Sequence, residues 1–475
     1  MLVPMNRPAI FLDRDGTLIE DRGHLSDPGQ VLFYPETVQA LRKLQPHFLL
    51  FIVTNQSGIS RGVLRPEDAD RVNAHVVQRL RDEGVAIRAV YCCPHTRDDG
   101  CACIKPKPYF LLQASIDHGI DLGRSFVAGD HPADVELAVN AGARGIYVLT
   151  GHGRKHRNEL SVPCEIAEGI SGAADAILCS RAADVLRQGG LVAFPTETVY
   201  GLGADALNRA AVRRVFDVKR RPSTHPLIVH VAATSALAEW AAEVPEQAIR
   251  LADRFWPGPL TIILRRSRRV PDEITGGQET VALRVPSHPL ALRLLAGFGG
   301  GIAAPSANRF GRVSPTTAGH VLEELGSEVD FVLDGGPCAL GIESTIVDLS
   351  AGAPAILRPG GATKEEIEEV LGHAVPLQRT GVRAPGSHCA HYAPRAEVRI
   401  VPSEEIEEQT ALLAAQGIRV DVLVPEARTL YAEFREADRR GVEVILAAVP
   451  AEQGLGLAVA DRLRKAAGPR LDLTP

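Results

Sequence analysis

Three apolar runs in the first third of the chain each stop at a cluster of polar side chains, and this pattern restricts the fold more than any other feature. Residues 9–12 lead into Asp13-Arg14-Asp15-Gly16-Thr17, residues 48–53 into Thr54-Asn55-Gln56-Ser57, and residues 126–128 into Gly129-Asp130-His131-Pro132-Ala133-Asp134. Further strand-length runs at 89–92 and 145–149 alternate with amphipathic stretches at 37–44 and 67–80, the signature of βαβ units around a parallel sheet. In an open parallel sheet the carboxyl ends of neighbouring strands border one crevice, so the polar clusters are expected to converge there. Asp13, Asp15 and Asp130 then offer hard oxygen ligands suited to Mg²⁺, and Lys105 supplies a compensating cation.

A chain of 475 residues is too long for one ordinary core, since a domain takes about 100–200 residues. The expected division is an α/β domain over 1–178, a mixed α/β domain over 179–376, a linker or lid over 377–395 and a small α/β domain over 396–475. A weak strand-helix pair at 162–178 is expected to close the first domain. A new helix at 180–188, stopped by Gly189-Gly190, and a strand at 191–194 open the second. Further strands are expected at 227–231, 261–264, 281–285 and 346–349, and the tail reads strand, helix, strand, helix. Apolar residues make up 45% and charged residues 23%, which excludes a mainly disordered chain. Lys and Arg number 52 against 58 Asp and Glu, a net charge of −6, so the chain lacks the basic footprint of a dedicated nucleic-acid binder. No run of apolar residues is long enough to span a membrane and the start lacks a signal-peptide layout, so a cytoplasmic protein is expected.

Cysteine placement points to a metal rather than to disulfides. Cys92, Cys93, Cys101 and Cys103 crowd together, whereas Cys164, Cys179, Cys338 and Cys389 are scattered. Cys93-Pro-His95 followed by Cys101-Ala-Cys103 offers three thiolates and one imidazole, a closed tetrahedral set suited to structural Zn²⁺. Cys92 is spare, and takes the place of Cys93 if the strand register differs by one.

The first-domain motifs resemble the haloacid dehalogenase superfamily of phosphotransferases, whose four motifs stand in order as Asp13 and Asp15, Thr54, Lys105, and Asp130 with Asp134. The resemblance implies that Asp13 attacks phosphorus to form an aspartyl-phosphate and that Asp15 protonates the leaving oxygen. It further implies that Thr54 and Lys105 hold phosphoryl oxygens and that Mg²⁺ lies between Asp13 and Asp130. The Cys-x-His and Cys-x-Cys loop followed by Lys105-Pro106 is similar to the heptose bisphosphate and histidinol-phosphate phosphatase branch. Ile104 and His131 stand where heptose phosphatases usually carry Arg and Lys, so either a heptose bisphosphate or histidinol phosphate, or another small ester, is the expected substrate.

A second constellation begins with Thr196-Glu197-Thr198 after an apolar strand, continues with Lys219-Arg220-Arg221 at a helix end, and includes Ser306-Ala307-Asn308 after a further strand. Lys and Arg two apart can clamp phosphates, while Ser and Asn two apart present neutral hydrogen-bonding groups to one face. With Gly341-Ile-Glu-Ser-Thr345, Leu357-Arg-Pro-Gly360 and His391-Tyr-Ala-Pro394, these residues resemble the Sua5/YrdC family of threonylcarbamoyl-AMP synthases in its long Sua5 form, over about residues 180–475. The family reaction joins L-threonine, bicarbonate and ATP into L-threonylcarbamoyladenylate and pyrophosphate, for a modified tRNA adenosine. The resemblance implies that Thr198, His230, Arg284, Ser306 and Ser344 contact threonine. It assigns Lys219, Arg221, His225, Thr280, Asn308, Thr316, Arg358 and Tyr392 to ATP, with His225 standing where the family often has Asn. Residues 384–394 are expected to fold over the nucleotide, with Ser387 where the family usually shows Met and with His391 and Tyr392 inside the lid. Implied partners are these substrates, a small phosphate ester and the downstream tRNA threonylcarbamoyl transferase machinery, with no membrane. The rival reading makes the YrdC-like half an RNA-binding module.

Overall fold

The computed structural model describes residues 7–377, 381–386 and 392–468. Ser387 and His391 lie outside these residues. The chain divides into two compact units, 1–178 and 179–475.

The first unit is built on six parallel strands, β1 (Ala9–Leu12), β2 (Leu49–Asn55), β3 (Ile87–Cys93), β4 (Phe126–Gly129), β5 (Arg144–Val148) and β6 (Glu165–Ala167), in the order β3-β2-β1-β4-β5-β6. Every residue of β1 and β4 is buried, because helices cover both faces of a parallel sheet and leave no solvated side. Phe11 and Phe51 stack at 5.2 Å and are fully excluded from solvent, a burial that contributes roughly 1.5–3 kcal/mol per ring. Proline at the first position starts the helices Pro66–Asp82 and Pro132–Asn140, where its missing N–H costs nothing. The strand order runs one way from β1 to β3 and the other way from β4 to β6. The reversal falls between β1 and β4, so Asp13 and Asp130, the residues that follow them, meet at the switch point.

One helix, Ile170–Arg187, runs where a break was expected between 178 and 180. No glycine or proline interrupts Leu178-Cys179-Ser180-Arg181, so nothing stops the helix until Gly189, which takes a φ of 78°.

In the second unit a nine-stranded mixed sheet comprises β7 (Val192–Phe194), β8 (Gly201–Asp205), β9 (Ile228–His230), β10 (Leu260–Arg265), β11 (Thr280–Arg284), β12 (Ile302–Ala303), β13 (Phe331–Val332), β14 (Thr345–Asp348) and β15 (Ala355–Arg358). Their order is β13-β7-β8-β12-β9-β11-β10-β14-β15. His230 and Arg284 are paired neighbours on β9 and β11, which places two polar side chains beside each other inside an apolar sheet. The tail forms a three-stranded parallel sheet, β16 (Glu397–Ile400), β17 (Val420–Leu423) and β18 (Val444–Ala447), in the order β16-β18-β17. It has one strand more than the sequence pattern suggested, because the short run at 444–447 is fully buried between the other two and carries no alternation to mark it. Its helices Leu430–Arg440 and Leu455–Ala466 place Tyr431 and Leu463 in a core shared with Val199, Ile342 and Tyr392. Among the described residues no helix is long and apolar enough to cross a membrane.

Candidate active sites

At the β1/β4 switch point the oxygens of Asp13, Asp130 and Asp134 lie within 4.8 Å of one another, all buried. Gly16 makes this approach possible: its φ is 81°, and a Cβ there would stand 2.1 Å from Asp130 Oδ2. Lys105 Nζ donates to Asp13 Oδ1 and, at 2.7 Å, to Asp134 Oδ1. Burial, reinforced by Asp134, Asp130 and Asp15, raises the Asp13 carboxyl well above the ordinary range despite the pull of Lys105. Burial and Asp134 raise Asp130 to about 7, against the hydrogen bond from His152 N–H. Burial alone would lower the Lys105 ammonium, yet the two carboxylates outweigh it and hold the pKa above its usual value. Three crowded carboxylates with one ammonium form a donor set that a divalent cation satisfies.

Asp15 does not join this group, although the sequence suggested it as a metal ligand beside Asp13. Its carboxylate turns to Arg14, with Nη2 at 2.8 Å, and accepts from Gln56 Nε2 at 2.8 Å and from Thr54 Oγ1 at 3.5 Å. Arg14 has no exposed surface and is fixed by Asn73 Oδ1 at 2.7 Å. Neither Arg14, Gln56 nor Asn73 was singled out from sequence; the signal available was a cation flanked by the two motif acids.

Beyond β3, Cys93, His95, Cys101 and Cys103 bring their ligand atoms within 4.8 Å of one another. The three sulfurs are 3.3–3.8 Å apart, and His95 Nδ1 is 3.7 Å from Cys93 Sγ and 3.5 Å from Cys103 Sγ. Four atoms about 2.3 Å from a central Zn²⁺ in a tetrahedron would be about 3.8 Å apart, so the cluster has the right size for that ion. Cys92 stays out of it and lies beside Arg14 and Asn73.

In the second unit the ends of several strands surround a pocket of about 640 Å³, counting space open to solvent. Of the residues expected there, Thr198, Lys219, Arg221, His230, Arg284, Ser306, Asn308, Ser344, Arg358 and Tyr392 line it. His225, Thr280 and Thr316 do not. The His225 ring meets the Phe310 ring edge-on at 5.2 Å, Thr280 pairs with Arg265 across β10 and β11, and Thr316 Oγ1 sits 3.3 Å from His320 Nδ1. Thr196, Phe310 and Glu343 also line the pocket; the first and last stand in the sequence motifs but were assigned to no ligand, and Phe310 was not foreseen.

Arg284 donates to Thr198 Oγ1 at 2.9 Å and to Glu197 Oε1 at 2.6 Å, fixing one wall. Lys219, at the C-terminus of the helix Arg209–Lys219, donates to the carbonyls of Ser306 and Asn308. Burial and then the Arg221 charge push the Lys219 ammonium well below its ordinary pKa. Burial lowers Arg221 to about 10 and, with Arg284 nearby, His230 to about 3. Arg221 Nε, His230 Nδ1 and Asn308 Oδ1 are buried without a hydrogen-bond partner among the described residues. Buried polar atoms are almost always paired, so three orphans around one cation-rich pocket mark a site for a polar ligand that brings an acceptor to Arg221 Nε and a donor to Asn308 Oδ1.

Comparisons with known proteins match parts of both units. The Sua5/YciO/YrdC family model, described as telomere recombination, matches residues 184–360, and the threonylcarbamoyl-AMP synthase C-terminal domain matches 362–468. The threonylcarbamoyl-AMP synthase of Pyrococcus abyssi is 46% identical over 319 residues, 61% of this chain and 94% of that protein. The chain belongs to the threonylcarbamoyl-AMP synthase family. A crystal structure of P. abyssi Sua5 complexed with L-threonine superposes on the synthase part with a TM-score of 0.58 at 45% identity, covering 61% of this chain and 94% of that one. A HAD-hydrolase-like model matches residues 102–173 of the first unit. A D,D-heptose 1,7-bisphosphate phosphatase from B. bronchiseptica, complexed with magnesium and phosphate, aligns at 30% identity over 36% of this chain and 98% of that chain, with a TM-score of 0.35. The chain thus carries a HAD-hydrolase-like match in its first unit and the threonylcarbamoyl-AMP synthase matches in its second.

Proposed function

We propose that the second unit makes L-threonylcarbamoyladenylate from L-threonine, bicarbonate and ATP, in the pocket between Thr198 and Arg358. The observation that carries this assignment is the set of orphaned polar atoms on Arg221, His230 and Asn308 inside a buried, cation-rich pocket. Thr198, His230, Arg284, Ser306 and Ser344 receive threonine; Lys219, Arg221, Asn308, Arg358 and Tyr392 receive ATP. The threonine amine and bicarbonate condense to a carbamate with loss of water, and the carbamate oxygen attacks the α-phosphorus as the bond from that phosphorus to the pyrophosphate oxygen breaks. This chain supplies position and positive charge rather than a covalent intermediate. Tyr392 supports a closing segment: it is 1% exposed, lines the pocket and stacks on Tyr431 at 5.7 Å. The test is pyrophosphate release that requires threonine and bicarbonate; release independent of threonine sinks the assignment. Tyr392→Ala is expected to lower that release by ~10-fold or more by admitting water and loosening the phosphates, and a variant at parental turnover would reduce the segment to a tether.

For the first unit we propose hydrolysis of a small phosphate monoester, with a heptose bisphosphate as the first candidate and histidinol phosphate as the alternative. Asp13 attacks phosphorus, the ester oxygen leaves with a proton from Asp15, and water then cleaves the aspartyl-phosphate. Arg14 and Gln56 hold Asp15 at its station, while Thr54 and Lys105 take the phosphoryl oxygens. Mg²⁺ held by Asp13 and Asp130, with Asp134 beside them, would neutralise charge on the transferring group.

The sulfur cluster is read as a structural Zn²⁺ site that fixes the loop delivering Lys105, two residues beyond Cys103. Cys101→Ser, or chelation of the metal, is expected to cut phosphatase turnover by ~10-fold or more while threonine-dependent pyrophosphate release holds. Metal analysis accompanies the assay: full zinc content in the variant, or equal loss of both activities, would overturn the reading.

A further inference from the structure

Glu343 lines the synthase pocket and is 6% exposed. An acid is an awkward neighbour for a nucleotide, because its charge repels phosphates and attracts the guanidinium meant for them. The guanidinium of that set whose charge reaches Glu343 is Arg358, which donates to Ser344 O at 2.8 Å, to Ser344 Oγ at 3.2 Å and to Pro385 O at 3.2 Å, and makes no hydrogen bond to Glu343. The partners of Glu343 come largely from the small C-terminal domain instead. Arg462 Nε, on the helix Leu455–Ala466, donates to Oε2 at 2.8 Å, and Tyr431 OH reaches Oε2 at 2.9 Å. Ser314 Oγ completes the set at 2.7 Å.

Arg462 has no exposed surface and is held from two further sides, by the Pro359 carbonyl at 3.0 Å and by Asp461 at 2.6 Å. Its Cζ stands 5.1 Å from the centroid of the Tyr392 ring. A cation this completely buried, fixed by a neighbouring acid and a carbonyl, is built to stay charged and to stay in place. Burial would raise the Glu343 carboxyl, but the Arg462 and Arg358 charges bring it down to about 2, so the acid is ionised and both guanidinia feel it.

We propose that Arg462 is a positioning residue of the synthase: by satisfying Glu343 from the C-terminal domain, it keeps the Arg358 guanidinium from pairing with that acid and so leaves its charge available to the nucleotide phosphates. The C-terminal domain thereby contributes to ATP binding without touching ATP. Removing Arg462 strands an ionised acid in the pocket wall, and Arg358 is the cation close enough to turn toward it. This inference rests on the assignment of Arg358 to ATP made above.

The test uses the full chain, with pyrophosphate release measured against ATP and melting followed in parallel. Arg462→Met is expected to raise the KM for ATP by ~10-fold or more, and Glu343→Gln added to the same chain to bring it back within ~3-fold of the parent. A plain staple between domains gives the opposite pattern, since the second substitution removes another of its bonds. A double variant no better than the single one therefore overturns the proposal, as does an Arg462→Met chain with parental KM. If Arg462→Met does not fold, Arg462→Lys decides: it keeps the charge, so its KM should stay within ~3-fold, and a ~10-fold rise counts against the charge argument. A parent chain that releases no threonine-dependent pyrophosphate would defeat the functional assignment itself, a result distinct from either variant outcome.

Discussion

Asp13→Asn is expected to lower phosphatase turnover by ~10³-fold or more while leaving threonine-dependent pyrophosphate release intact. The amide is a poor nucleophile toward phosphorus, and no other group can replace it. Asp130 and Asp134 are within reach of the same crevice, but each is held by a backbone N–H, Asp130 by that of His152 at 2.7 Å and Asp134 by that of His131 at 3.1 Å. The variant also relieves like-charge crowding among three buried carboxylates, so the fold should melt no lower than the parent. Loss of activity with unchanged melting is thus the diagnostic pair. Hydrolysis that survives in Asp13→Asn would move the nucleophile elsewhere, and simultaneous loss of pyrophosphate release would contradict separate sites in the two units.

Lys219→Met should reduce threonylcarbamoyl-AMP synthesis by ~10²–10³-fold, the usual consequence of removing a charge that stabilises a leaving phosphate. The side chain is 1% exposed and among the described residues its acceptors are two carbonyls, so the protein itself compensates its charge poorly. Its pKa lies well below the ordinary lysine value, with burial the main cause and Arg221 the next. Phosphates bound there favour the ammonium and raise that pKa again. At pH above the depressed value ATP binding should therefore take up a proton, and it should weaken as pH rises through that value, with the charged form and its affinity retained at lower pH. Calorimetry in buffers of different ionisation enthalpy reads this uptake directly. A binding enthalpy independent of buffer, or a Lys219→Met chain with parental turnover, would remove Lys219 from the phosphate site.

The parts legible in the sequence were those whose geometry follows from strand ends. β1 and β4 stop at acids because a buried parallel strand must leave its polar residues to the crevice, and that alone brings Asp13 to Asp130. The four zinc-site candidates were legible because their spacing is local. Asp15 was not, because separation by a single residue says nothing about which way a turn residue points; Arg14 and Gln56 draw its carboxylate away and Asp134 completes the acidic group. His225, Thr280 and Thr316 show the same limit in the synthase, since a motif fixes a residue's neighbourhood in the chain but not whether its side chain reaches the pocket. The Glu343–Arg462 pair joins positions 119 residues apart on two different layers, and no periodicity or composition announces such a contact.

The sulfur cluster and the acidic crevice also differ in how far the chain must be assembled before each exists. The cluster's ligands all fall within residues 93–103, so closing them together costs little chain entropy and requires only the end of β3 and one loop. Asp13 and Asp134 meet only after β1 and β4 have paired across more than a hundred intervening residues. In a chain made from its N-terminus, the Cys93–Cys103 segment is complete before Asp130 and Asp134 have been synthesised. On the zinc reading proposed above, metallation would precede the active site, and a nascent chain starved of zinc would reach its full length with Lys105 on an unanchored loop.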